Sequence, residues 1–220
     1  MTHRRWLSAI ALAGLSAVGF FAMTLSATAG MKAYFSENRR TVRIVWSGRI
    51  QKPMAKQLNR AISKWHAKAL NGVELVLNSG GGGMKEGHRV INMLRKLKRT
   101  RRLTTVVLPG MVCGSACIPI FLQGDARAAS AATLWLLHEV SKSDPKTKKL
   151  IALRPHKTQQ FFRRYFLPAG VPKGWIDMIT QKIRGKDVWW TGGQIFNSGS
   201  NIITWRIKSS RKRKVHPRST

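Results

Sequence analysis

The chain has 220 residues, 43% of them hydrophobic, and sets 40 Lys and Arg against 8 Asp and Glu for a formal charge of +32. That length supplies one domain with a real core and excludes two full-sized ones, and two cysteines are too few for a disulfide-stapled scaffold. The charge makes copies repel one another and directs the protein to anionic lipid, envelope polysaccharide or an acidic partner before nucleic acid.

Arg4 and Arg5 begin a basic start, Leu7 to Leu25 is uncharged and apolar-rich, and Ala27-Thr28-Ala29 has the small-x-small form of a cleavage site. Residues 1–29 therefore read as an export signal, with an uncleaved anchor through 7–25 as the alternative. Val42 to Trp46 reads as a strand. Pro53 opens a helix with Met54, Leu58, Ile62 and Trp65 at helical spacing. After the Asn71-Gly72 turn come a strand over Val73–Leu77, a run of glycines at 80–83, and a helix from Met84 to Lys98 with Val90, Ile91, Leu94 and Leu97 inward. A strand over 104–108 follows, then a helix opened by Ser115 and running through Leu122. The next strand, 133–137, ends in His138. Ser141 to Lys146 reads as a solvated loop, and helices are expected over 155–166 and from Pro172. Thr191-Gly192-Gly193-Gln194 has the form of a capping box, and Ile202 to Ile207 reads as a last strand. Residues 208–220 carry no apolar periodicity and read as a basic disordered tail. Alternating strands and helices predict an α/β domain over 30–207 with parallel strands.

Two turns carry the chemistry. Asn78-Ser79-Gly80-Gly81-Gly82-Gly83 and Cys113-Gly114-Ser115-Ala116-Cys117 each follow an apolar strand and precede a helix. Glycines there leave N–H groups uncovered, and the helix start adds partial positive charge. Ser115 is the candidate nucleophile and His138 the candidate base, since an imidazole changes charge near working pH. Glu139, Asp144, Asp177 and Asp187 are the acids available downstream to orient the ring. The N–H groups of Gly81 and Ala116 are the candidate oxyanion donors. Cys113 and Cys117, four apart, are expected to pair in an oxidising compartment; Cys-x-x-x-Cys is not a standard zinc spacing, and neither metal nor cofactor is expected.

The stretch Leu77 to Gly82 resembles the Asn-Ser-Pro-Gly-Gly turn of the Clp protease proteolytic subunit, with Gly80 in place of the proline. Val106 to Gly124 resembles that family's nucleophile strand, turn and helix, with cysteines flanking the serine. Trp135-Leu136-Leu137-His138-Glu139 resembles its apolar-apolar-His-Gln motif, and Lys186 to Thr191 its Arg-Asp-x-aromatic-x-Ser segment. The likeness spans roughly residues 40 to 205 and is in particular to exported bacterial Clp-protease-like proteins. It implies a Clp protease/crotonase-type spiral of repeated ββα units in a single domain, with Ser115, His138 and Asp187 as the triad and Gly81 and Ala116 as the oxyanion hole. It also implies a serine peptidase acting on peptide or protein substrates, and homo-oligomeric assembly; because an exported compartment lacks ATP, the peptidase is expected to be ATP-independent. Two other readings stand beside it: a non-catalytic protein that docks to anionic envelope components, and a serine–lysine peptidase resembling signal peptide peptidase, for which Lys85 is a candidate.

Overall fold

A computed structural model of the protein describes residues 29–208 apart from 37–39, 66, 69–70, 145 and 148–149. All but Ala29 of the segment read as an export signal, and all but Lys208 of the stretch read as a basic tail, lie outside the described residues. Among the described residues, no helix is long and apolar enough to cross a membrane.

The main sheet is built from β1 (Gly30–Ser36), β2 (Thr41–Ser47), β3 (Gly72–Asn78), β4 (Leu103–Val107), β6 (Ala126–Ser130) and β11 (Trp205–Ile207), in that spatial order. β1 runs antiparallel to β2, and every other neighbour is parallel. A second sheet orders β10 (Val188–Thr191), β7 (Leu134–Leu137) and β5 (Val112–Gly114). The Val/Ile/Leu-rich β3 fits a strand covered on both faces, with Leu75, Val76 and Leu77 fully buried.

Two helices pack beside β1 to β3: α1 (Met54–Trp65) and α2 (Met84–Leu97). The inward stripe of α2 is the one its periodicity predicts. Val90, Ile91 and Leu94 are at most 1% exposed, each worth about 1.5–3 kcal/mol relative to an exposed position. Glu86, in the first turn of α2, is buried; it accepts the Ala55 N–H at 2.8 Å and pairs with Arg89, so the two helices share one carboxylate. The short α3 (Cys117–Phe121) inserts Phe121 edge-on against Trp135, ring centroids 4.9 Å apart. α4 (Pro155–Tyr165) and α5 (Lys173–Lys182) cover the other end of the core with Phe162, Tyr165, Trp175 and Ile179. The capping box of α6 (Gly192–Asn197) forms as written: the Gln194 N–H donates to Thr191 Oγ1 and the Thr191 N–H to Gln194 Oε1.

Four expectations change. Ser115 does not open a helix; it and Ala116 form a turn, and α3 begins at Cys117. The segment read as a loop after Val140 is a hairpin, β8 (Ser141–Ser143) with β9 (Leu150–Leu153). Strands β1, β5 and β6 were not expected. The last strand is confined to Trp205–Ile207, because Ile202 and Ile203 are buried in irregular backbone that the Arg127 guanidinium pins through the carbonyls of Asn201 and Ile202.

Candidate active site

The two expected turns are stitched together at the carboxyl ends of the strands. The Ser79 N–H donates to the Val112 carbonyl at 2.7 Å, the Gly114 N–H returns to the Ser79 carbonyl at 2.9 Å, and Asn78 Oδ1 accepts the Val112 N–H. One residue on, the Ser115 N–H donates to the Leu136 carbonyl at 2.9 Å, which ties the turn to the strand that ends just before His138.

Ser115 has φ +50°, a left-handed conformation that costs a non-glycine residue on the order of 1–3 kcal/mol and persists only when the surroundings over-determine it. They do so here. Cys113 and Cys117 are joined by a disulfide with Cα atoms 5.3 Å apart, both residues fully buried, so a covalent bracket spans the serine. Gly81 lies directly against it. With φ +116°, Gly81 occupies backbone that L residues rarely adopt, and a Cβ there would stand 2.6 Å from Ser115 Cβ and 3.2 Å from its Oγ. Only hydrogen fits at that point.

Ser115, Ala116, His138 and Gly80–Gly83 line one cleft of ≈ 880 Å³, within the range of sites that enclose a ligand. Its apolar wall is Met84, Val112, Val140 and Phe161. The Gly81 N–H points at Ser79 Oγ, 3.2 Å away, and so is spoken for in the empty cleft; the Ala116 N–H, just ahead of α3, donates to no acceptor among the described residues.

His138 Nδ1 lies 2.6 Å from the carbonyl oxygen of Glu139. A carbonyl can only accept, so the neutral ring carries its hydrogen on Nδ1 and leaves Nε2 as the basic nitrogen, the tautomer a general base needs. The carbonyl is itself held: the buried Glu139 carboxylate accepts the Gly185 N–H at 2.9 Å.

Asp187 is placed otherwise than expected. It sits one residue ahead of β10, and the Val188↔Leu137 register continues to put it opposite His138. It is nevertheless exposed, lies outside the cleft lining, and makes no hydrogen bond or ion pair with the histidine. The position it was expected to fill at Nδ1 is taken by a main-chain oxygen. No residue-type signal could have announced that, because every residue carries a carbonyl. Asp144 binds the N–H groups of Lys146 and Thr147, and Asp177 pairs with Lys173, so neither reaches the site. Lys85 is exposed on α2, and no lysine is among the described residues that line the cleft.

The chain is similar in fold to solved structures of proteases. ClpP1 from Listeria monocytogenes shares 18% identity over 79% of this chain and 94% of its own, with a TM-score of 0.58. The ClpP protease catalytic domain from Plasmodium falciparum shares 16% over 82% and 90%, at 0.57.

The fold is that of the Clp protease proteolytic subunit.

A serine-to-alanine mutant of 1510-N, a membrane-bound stomatin-specific protease, aligns on the same fold at 15% identity over 75% of this chain and 77% of that one, TM-score 0.57. No protein-family model matches the chain and no curated protein does.

Proposed function

We propose that the protein is a serine peptidase of the Clp-protease-like type, acting without an ATPase. Ser115 Oγ attacks a peptide carbonyl, His138 Nε2 takes its proton and returns it to the leaving amine, and water then hydrolyses the acyl-enzyme. The Ala116 N–H and, once turned from Ser79, the Gly81 N–H receive the oxyanion. The observation that carries the reading is the strained Ser115, bracketed by a disulfide, lining the cleft and facing a glycine where no side chain would fit. The main-chain acceptor beside Nδ1 of His138 supports the same assignment, and the absence of lysine among the described residues of the cleft lining weighs against a serine–lysine mechanism.

A fluorophosphonate carrying a plain alkyl group should label the folded protein at Ser115, and not at all in Ser115→Ala. An absence of labelling from pH 5 to 9, in protein shown to be folded, would leave the non-catalytic docking reading in its place.

Export is part of the proposal. Ala27-Thr28-Ala29 ends just where β1 begins, so cleavage after Ala29 would preserve every pairing from Gly30↔Ser47 onward. The intact mass of the protein taken from the cell envelope should equal residues 30–220 less two hydrogens. An unprocessed mass found in membranes would establish the retained anchor, and a mass with two free thiols would contradict oxidation in the cell. In that compartment the charge, +30 once Arg4 and Arg5 leave with the signal, favours an anionic membrane or envelope polymer as a docking surface, and a homo-oligomer would need that charge screened.

A further inference from the structure

The cleft has a sign. Of the described side chains that line it, only Arg49 and His138 are ionisable, and no carboxylate is among them. Arg49 is exposed and makes no ion pair among the described residues, in contrast to Arg43, Arg89, Lys98 and Lys173, each of which holds an acid. Its position is fixed although its side chain is free. On one side the Gly48 N–H donates to the Asn78 carbonyl at 2.9 Å. On the other, Ile50 is fully buried, gives its N–H to the Gly81 carbonyl and accepts the Gly83 N–H, both at 2.8 Å. The main chain on either side of Arg49 is therefore laced to the glycine run that faces Ser115. An arginine anchored in this way presents a planar, permanently charged fork at the rim without ordering a loop to do so.

We infer that Arg49 is a specificity-determining residue that selects polypeptide substrates bearing an acidic side chain next to the scissile bond. This deepens the peptidase reading and rests on it. An exposed pair of this kind discriminates by a few fold rather than by orders of magnitude. The effect is local. At physiological ionic strength the Debye length is about 8 Å, so the field of distant lysines is damped while a charge in contact with the substrate is not.

The test uses the mature protein and two matched peptidyl phosphonates that differ only in Glu or Lys beside the reactive group, with the alkyl fluorophosphonate as a neutral reference. The readout is the ratio of Ser115 labelling rates, Glu probe over Lys probe, at about 0.15 M salt. The wild type should give a ratio of about five, Arg49→Gln about one, and Arg49→Glu a ratio below one, as expected for a single exposed pair. Arg99→Glu makes the same change in net charge beyond the far end of α2, about 20 Å along the helix from Met84, and should keep the wild-type ratio. A wild-type ratio of one, or an Arg49→Glu ratio equal to the wild type's, overturns the inference while the neutral probe still reports a working serine. If Arg49→Glu loses neutral labelling, the wild-type and Arg49→Gln ratios decide by the same criterion. If the neutral probe fails on the wild type, the peptidase reading falls and this one falls with it.

Discussion

Replacing His138 with alanine should slow Ser115 labelling and any peptide hydrolysis by about 10²–10⁴-fold, the range that a positioned general base supplies. The neighbouring substitutions then say what orients the ring. Glu139→Ala keeps the carbonyl that accepts from Nδ1 but removes the carboxylate that holds the Gly185 N–H. It should cost about tenfold, inside the 10² that a misplacement of about 1 Å can cost. Glu139→Gln retains an oxygen for Gly185 and should recover most of the rate. Asp187→Asn should change it by less than about threefold, in line with an exposed side chain that makes no bond. A fall in Asp187→Asn as deep as that of His138→Ala would show that Asp187 swings onto the histidine during turnover, as the family resemblance implies. Rates measured across pH for all four variants distinguish an orienting defect from a lost base.

Gly81→Ala should abolish labelling to the extent of 10²-fold or more, of the order reported for losing an oxyanion donor, while the protein still folds. Its new methyl would stand 2.6 Å from Ser115 Cβ and 2.9 Å from the Gly114 carbonyl, and neither can retreat: one is held by the disulfide bracket, the other by the stitched turns. Left-handed strain of about 1–3 kcal/mol adds to this and should lower the melting temperature by several degrees. Gly174→Ala serves as the control. A Cβ on that helical glycine meets open space, so labelling should be unchanged and stability should rise slightly. If Gly81→Ala labels at the wild-type rate, the glycine run is only a turn and takes no part in the chemistry.

Much of this arrangement was legible from residue types, and the reasons differ by element. β3, α2, α4 and α5 announced themselves because their apolar residues recur at the period of the element they form. The cleft could be foreseen because glycines and a serine between strand and helix signal a turn whose backbone is put to use. What stayed hidden lacked such a pattern. β6 is Ala-Arg-Ala-Ala-Ser, with no β-branched residue, and becomes a strand only because β4 and β11 lie on either side to pair with it. β5 is three residues long, and β8 is two serines around a lysine, a composition that reads as solvent-exposed loop. The helix expected from Ser115 begins two residues later, because the residue that faces Gly81 has to leave helical backbone altogether. Asp187 shows the limit in another way. Its register with His138 could be anticipated from the motif, but whether its side chain turns toward the ring is decided by rotamer and solvent.

The directions of β1 and β11 have a practical consequence. β1 runs against β2 and starts opposite Ser47, which lines the cleft, whereas β11 runs with β6 and finishes opposite Ser130. Both ends of the ordered sheet thus emerge on the rim where the parallel strands terminate, at opposite flanks and five interstrand spacings apart, about 24 Å. A fusion partner, affinity handle or surface tether attached through either end begins on the substrate side of the molecule. The opposite rim, where β3 follows the Asn71-Gly72 turn, is the better place to attach a label or a solid support without obstructing the mouth of the cleft.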